Sequence, residues 1–286
     1  MSEKNIDTKL KKLHELPTLP AILSQCNTLL KNPNVSPADL AKVIKSDQSI
    51  TSKVLKLVNS AFYGLNGNVS TISQAIVILG FNTLRSIILS VSVFELLPKN
   101  ETFGEFRISR LWEHSIGCAV IAKLLAQRLG VKDPEEAFTA GLLHDIGKVV
   151  IAKLLREEFI TILETTHSEK ILFLEAEQSI VGTTHAQLGE RIAKYWKLPP
   201  PLIDAIALHH HNLHTSGYIK LVSIVHLADI ITRGLQIGSG GDKAIPEIST
   251  TAWDTLTLNI DLMERWLGDL DEEFDRASAF FSFLSD

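Results

Sequence analysis

Gly141-Leu142-Leu143-His144-Asp145-Ile146-Gly147-Lys148 is the stretch on which the reading of this chain turns. His144 and Asp145 supply one imidazole and one carboxylate from adjacent backbone positions. That mixed nitrogen and oxygen pair suits a borderline or hard transition metal. A His-Asp dipeptide is weak evidence alone, because it arises often by chance. The distribution of histidine strengthens it. Of the ten histidines, only His14 precedes residue 100, and the rest lie between His114 and His226. Several sit in helix-like apolar segments, where a polar ring is costly unless it has a partner. The clustering points to a metal or phosphate site in the second half of the chain.

The bulk composition bounds the setting. At 286 residues the chain can bury a large core and is expected to form two subdomains. Apolar residues make up 45% and aromatics only 7%, with Leu, Ile and Ala dominant, which favours helices over a β-sandwich. The net charge is -5 and no run of five like charges occurs, so nothing calls for nucleic acid or an anionic membrane. Cys26 and Cys118 stand alone in apolar helical patterns and read as buried free thiols of a reducing compartment. Met1-Ser2-Glu3-Lys4 is charged with no apolar signal core behind it, and no uncharged apolar run reaches the roughly 20 residues of a membrane span. The expectation is a cytoplasmic protein.

Working outward, the chain reads as helix after helix. A short helix over 5–13 is stopped by Leu16-Pro17-Thr18-Leu19-Pro20, and another covers about 20–31. Ser36-Pro37-Ala38-Asp39 is a strong start signal: Ser as N-cap, Pro at the first helical position, Asp three residues after the cap. Helices follow over about 37–45 and 48–60. The next opens at Ser70 or Thr71 and is closed by Gly80 in a left-handed C-cap. Asn82 caps a long apolar helix to about Leu97, and Pro98-Lys99-Asn100 begins a polar linker and a domain boundary. The second half restarts at Ser109, with helices over about 109–129, 134–143, 148–166, 170–180, 184–196, 200–211 and 219–233. Gly238-Ser239-Gly240-Gly241 reads as a flexible loop before a final helix over about 261–283. No convincing strand and no internal repeat is visible. The fold class is all-α, with three expected parts: 1–100, 101–235 and 236–286.

Seven side chains are candidate metal ligands: His114, His144, Asp145, His185, His209, His210 and Asp229. Each has a plain structural alternative. His114 could be a surface residue, and His185 could sit harmlessly at a helix start. His209, His210 and His211 could be solvated at a helix end, where cations favour the dipole. Asp229 could pair with Arg233 four residues on. The joint pattern says more, because the candidates lie at or near the ends of successive helices, and packed helices can aim such residues at one interior point. Seven candidates without a cysteine suit an open or two-metal site that Asp145 could bridge. Lys148, one turn beyond His144, could face a phosphate oxygen; its plain role is a solvated lysine. His226 lies three residues before Asp229 and is a candidate support for a ligand, or a satisfied core histidine.

These features together resemble a known family. His114, then His144-Asp145, then the late Asp229 is the order of the HD metal-dependent phosphohydrolase superfamily. "DLAKVIKSDQSITSKVLKLVNSAFYG" (39–64), "VSTISQAIVILGFNTLRSIIL" (69–89) and "HAQLGERIAKYWKLPPPLIDAIALHH" (185–210) resemble the HDOD branch, the HD-related output domain of bacterial signalling proteins. The resemblance covers about 17–233. It implies an all-α fold, an N-terminal helical subdomain beside an HD-like bundle, and a role in signal transduction. Many HDOD members have lost the HD ligands, whereas this chain keeps a set similar to that of the HD-GYP cyclic di-GMP phosphodiesterases. Residue by residue, His114, His144, Asp145, Lys148, His185, His209, His210 and Asp229 fall where that set would be. Two departures stand out. The Gly-Tyr-Pro segment is replaced by His211-Asn212-Leu213-His214, and a Glu found one turn before the first His of some trinuclear members is replaced by Arg110.

Three functions follow as expectations. The first is a metal-binding signalling module that presents a surface to protein partners or takes a phosphorylated small molecule. The second is an active phosphohydrolase, with cyclic dinucleotides among its candidate substrates and with Asp145 and Lys148 in catalytic roles. The third is a metal-free interaction scaffold. The expected cofactor is a divalent transition metal, two ions of Fe, Mn, Ni or Zn.

Overall fold

In the computed structural model, which describes residues 21–29, 35–65, 67–96, 101–211 and 213–282, helix α1 (Ala21–Leu29) leads into α2 (Pro37–Ile44). The start of α2 shows how local chemistry sets the elements. The Ser36 hydroxyl oxygen accepts from the Asp39 N–H, the Asp39 carboxylate accepts from the Ser36 N–H, and Pro37 fills the first helical position. Helix α3 (Gln48–Val58) is capped by Asp47, whose carboxylate accepts from Ile50 N–H at 3.0 Å, and it buries Ile50, Val54, Leu57 and Val58 on one face. Thr71 caps α4 (Ile72–Leu79), and α5 (Phe81–Leu96) follows after a single residue.

That single residue, Gly80, corrects the sequence reading in two ways. It has a positive φ of 79°, as a helix-closing glycine should, but its ψ of 171° is extended rather than left-handed helical. Only glycine occupies that region readily. The sharp turn it allows starts α5 at Phe81, so Asn82 lies inside the helix instead of capping it. The expected helix over 5–13, the Leu16–Pro20 stop, His14 and the Pro98–Asn100 linker lie outside the described residues.

The second half opens with a small antiparallel hairpin, β1 (Thr102–Phe103) on β2 (Phe106–Arg107), where no strand was expected. Helices α6 (Ile108–Arg128) and α7 (Pro134–Leu143) follow, the latter capped by Asp133. His144 and Asp145 form a two-residue corner before α8 (Ile146–Leu154). Next come α9 (Arg156–Glu169), α10 (Phe173–Ile180), α11 (His185–Tyr195), α12 (Pro200–Leu208), α13 (Ile219–Gly234), α14 (Thr250–Leu256) and α15 (Ile260–Leu267). Helices α16 (Leu270–Arg276) and α17 (Ser278–Ser282) end the described chain.

Two long helices expected from periodicity prove to be broken. The stretch over 148–166 divides at Leu155, which leaves helical geometry at φ -131° and ψ 52° and is fully buried. The break lets α8 pack on α11 while α9 packs on α10. The stretch over 261–283 divides into α15, α16 and α17, with Gly268 ending the first. The apolar spacing survives each break, which is why the sequence pattern hides it.

Among the described residues the helices form two compact units: one of 21–96 with 270–282, the other of 101–269. Both are all-α apart from the two-residue strands. In the larger unit α6 packs on α7 and α13, and α11 packs on α8 and α12. One close approach positions the chemistry. A Cβ on Gly147 would fall 1.8 Å from the carbonyl oxygen of His185, so only glycine lets α8 touch the start of α11. Among the described residues no helix is long and apolar enough to cross a membrane.

Candidate metal centre

All seven candidate ligands come together in the larger unit. His114 projects from the middle of α6, His144 and Asp145 from the α7–α8 corner, and His185 from the first position of α11. His209 and His210 follow the end of α12, and Asp229 lies within α13. Their donor atoms form two adjacent groups: Asp145, His185, His209 and His210 in one, and His114, His144 and Asp229 in the other. Asp145 reaches both. Its Oδ1 lies 3.2 Å from His185 Nε2 and 3.9 Å from His209 Nε2. Its Oδ2 lies 3.4 Å from His144 Nε2 and 3.6 Å from His114 Nε2. Asp229 Oδ1 closes the second group at 2.9 Å from His114 Nε2 and 3.7 Å from His144 Nε2. Except for His210, which is partly exposed, every member is buried.

Hydrogen bonding decides which ring nitrogens are bare. His144 Nδ1 lies 2.6 Å from the Gly141 carbonyl, and His209 Nδ1 lies 2.9 Å from the Ile206 carbonyl. A carbonyl oxygen can only accept, so both Nδ1 atoms carry a proton, and in the neutral ring each Nε2 is left with its lone pair. His185 is set the same way by Glu177, whose buried Oε2 accepts from its ring Nδ1–H at 2.7 Å and from its backbone N–H at 3.0 Å. His185 Nε2 faces His210 Nε2 at 2.9 Å and His209 Nε2 at 3.4 Å, and although burial disfavours a charged His185, Glu177 raises its pKa. His114 Nε2, His144 Nε2 and Asp145 Oδ1 are buried without any hydrogen-bond partner. Buried polar atoms are rarely left so. Lone pairs converging on lone pairs are unfavourable unless a cation sits among them, and a protonated imidazole or a bound metal ion meets that need.

The electrostatics divide the donors into groups held charged, rings held neutral and rings that favour a proton. Burial favours the neutral acid at Asp145, yet His144 and Lys148 hold its carboxyl well below the usual range. Asp229 behaves alike: burial opposes its charge, and Arg233 and His114 overcome it. Burial and the neighbouring imidazoles push His209 and His210 well below the ordinary histidine value, which keeps them neutral and able to ligate. Burial disfavours protonated His144, but Asp145 beside it raises its pKa well above the ordinary value, so a proton competes with any ion for this nitrogen.

The remaining sequence candidates are accounted for. Lys148 is buried rather than solvated, with Nζ 2.7 Å from Asp145 Oδ2 and 5.0 Å from the centre of the Phe173 ring. Asp229 also makes the expected pair with Arg233, whose Nε lies 3.0 Å from Oδ1. His226 is a satisfied core histidine that also steadies a candidate ligand: its Nδ1–H donates to the His209 carbonyl at 2.7 Å, and Ser249 N–H donates to its Nε2 at 3.0 Å. Arg110 bonds to Glu113 and to the Gly238 carbonyl. A cavity of about 580 Å³ adjoins the centre, lined by His210, His211, His214, Arg233, Phe173 and the 246–251 segment among others.

Sequence reasoning missed Glu177 and Asp242. Glu177 had a signal: it shares the buried face of α10 with Phe173 and Ala176, where a carboxylate needs a reason. Asp242, in an irregular segment nine residues after Arg233 and 69 after Phe173, had none.

Comparison with known proteins bears on this arrangement. The family model described as HDOD domain matches residues 16–212. An uncharacterized protein of Treponema pallidum is 30% identical over 228 residues, which is 78% of this chain and 43% of that protein. Ribonuclease Y 1 of Pediococcus pentosaceus is 28% identical over 184 residues, 64% of this chain and 29% of the enzyme. The chain thus spans less than half the length of these curated relatives. Among solved structures, an HDOD domain protein of unknown function from Geobacter sulfurreducens superposes with a TM-score of 0.77 at 29% identity, covering 96% of this chain and 98% of that one. A protein of Shewanella amazonensis SB2B, provisionally described as a phosphohydrolase, superposes with a TM-score of 0.71 at 26% identity, covering 96% of both.

Proposed function

The chain belongs to the HDOD family, and on that premise we propose that it is a metal-binding regulatory module of signal transduction. The observation that carries the reading is the convergence of seven candidate donors in two adjacent groups, with His114 Nε2, His144 Nε2 and Asp145 Oδ1 buried without a hydrogen-bond partner. Charge supports it. Around the centre Asp145 is paired with Lys148, Asp229 and Asp242 with Arg233, and Glu177 with the His185 ring, so four carboxylates face two permanent cations. That leaves two negative charges in a dry interior, which either protons on His144 and His185, whose pKa values are raised, or a divalent cation would neutralise. His185, His209, His210 and Asp145 would hold one ion and His114, His144, Asp229 and the other oxygen of Asp145 a second. Nitrogen and oxygen donors without thiolate suit Fe, Mn, Ni or Zn. The output passes to a signalling partner, or responds to a phosphorylated small molecule that meets His210 from the adjoining cavity.

Metal analysis by mass spectrometry on untagged protein tests this. About two ions per chain, absent from Asp145→Ala, is the expected result, since loss of a shared ligand removes both. No metal, even after reconstitution with manganese or zinc, would leave an interaction scaffold instead.

A second reading, an active phosphohydrolase, is favoured by the cavity at His210 and by buried Lys148. Bound divalent ions would supply Lewis acidity toward a phosphoryl group and acidify water. The chain's own part would be to orient the donors through Glu177, Gly141 and Ile206, and to hold positive charge at Lys148 where phosphoryl charge develops. Turnover of phosphomonoesters, nucleotides or cyclic dinucleotides by metal-verified protein, lost in Lys148→Met and Asp145→Ala, would establish it. Silence across that panel would return the protein to the regulatory reading alone.

A further inference from the structure

The segment 238–242, which the sequence presents as a flexible Gly-Ser-Gly-Gly loop, is pinned across the centre. At one end Ser239 N–H donates to the Arg110 carbonyl at 2.8 Å, and Arg110 Nη2 donates to the Gly238 carbonyl at 3.2 Å. In its middle, a Cβ on Gly240 would lie 3.1 Å from Arg233 Nη2 and 3.4 Å from Lys148 Nζ, so a side chain there would press against both cations. At the far end Thr166 Oγ1 donates to the Gly241 carbonyl at 3.1 Å. The glycines are sterically required. Gly238 has φ +63°, and a Cβ would fall 2.1 Å from the backbone nitrogen of His114; Gly241 has φ +102°, and a Cβ would meet the Phe173 ring at 2.6 Å.

Asp242 ends this strap, and both its oxygens are engaged. Oδ1 accepts from Arg233 Nη1 at 2.7 Å and from Ala244 N–H at 3.0 Å, while Oδ2 accepts from Phe173 N–H at 2.8 Å. Its side chain is fully buried. Arg233 in turn grips Asp229, with Nε 3.0 Å from Oδ1 and 3.2 Å from Oδ2. A continuous chain of charge-assisted bonds therefore runs from the strap through Arg233 to the carboxylate that faces His114 and His144. An arginine fork held from one side orients what it holds on the other.

We infer that Asp242 is a positioning residue of the metal centre: by fixing Arg233 it fixes Asp229, so that loading of the His114–His144–Asp229 group and closure of the 238–242 strap are one coupled event. The inference rests on the metal-binding reading above. Coupling runs both ways, so an ion that orders Asp229 also orders the strap.

Two measurements test it on the full chain. Hydrogen exchange over 236–246, with and without manganese(II), should show the wild-type strap protected by metal. Metal retention during chelator competition should show Asp242→Ala losing one of two ions about ten- to hundredfold more readily, with the ion of the Asp145–His185–His209–His210 group retained. Asp242→Asn, which keeps the shape and one acceptor, should fall between, and this guards against a folding defect in the alanine variant. Strap exchange indifferent to manganese, or equal retention of both ions in wild type and both variants, overturns the inference and leaves the metal-binding reading intact. A wild-type chain that takes up no manganese overturns both.

Discussion

The two units are built from the same element and use burial in opposite ways. In the unit of 21–96 with 270–282, the only polar side chains buried among the described residues are Ser90 and Ser92. Ile44, Val54, Leu57, Val58, Ile72, Ala75 and Leu84 make an ordinary apolar interior. In the unit of 101–269 the interior holds His114, His144, Asp145, Lys148, Glu177, His185, His209, His226 and Asp229. Burying ionisable groups costs free energy unless each finds a partner. One unit therefore has an apolar interior and the other an interior rich in paired ionisable groups, which marks a candidate site. The lesson is that a helical bundle declares a site through what it buries, not through its shape.

The largest effect is expected at Asp145. Replacing it with alanine removes the carboxylate common to both donor groups and leaves Lys148 buried without its partner, which costs about 3–5 kcal/mol. Chemical denaturation should register that loss in the 101–269 unit, and hydrogen exchange over α2–α5 should stay unchanged. Exchange rising equally in both units would show that the centre staples the whole chain.

Leu57→Ala is the mirror experiment. Leu57 is fully buried in α3, so truncation should cost about 2–5 kcal/mol while leaving metal content unaltered. A drop in bound metal would dissolve the division of labour. Glu177→Gln probes the support of one ligand. Losing the carboxylate that orients His185 should weaken metal retention about ten- to hundredfold in chelator competition, with the helices intact by circular dichroism. Unchanged retention would reduce Glu177 to a partner of the α11 backbone.

Two smaller effects sharpen the picture of the apolar unit. Gly80→Val forces a side chain into a glycine-only conformation and should lower stability by about 1–3 kcal/mol. A neutral thermal melt would mean that the α4–α5 turn relaxes freely. Cys26 is buried and its thiol is pushed up to about 11 by that burial. Maleimide labelling should then be slow in the native protein and fast in urea, whereas rapid native labelling would reveal local opening near α1.

Much of this was legible in the residues. The capping box at Ser36, the Asp133-Pro134 start of α7 and the Pro199-Pro200 start of α12 lie where the sequence reading placed helix starts, because caps act over three or four residues. The breaks at Leu155 and Gly268 were not legible, since apolar spacing continues through them. The Gly-Ser-Gly-Gly segment was misjudged as flexible for a related reason: composition reports conformational permissiveness, and only the partners of Ser239 and Asp242 report restraint.

The sequence by itself determined an all-α chain, the resemblance that fits its family, and the seven side chains able to act as ligands. Tertiary structure alone decided that Asp145 reaches both donor groups, that Glu177 and the Asp242–Arg233 bridge stand behind the candidate ligands, and that a glycine strap lies near Lys148. The physical reason is range. Caps and periodicity are local, whereas convergence depends on backbone approaches such as Gly147 against His185, between residues that are distant in the chain and meet only when the helices pack.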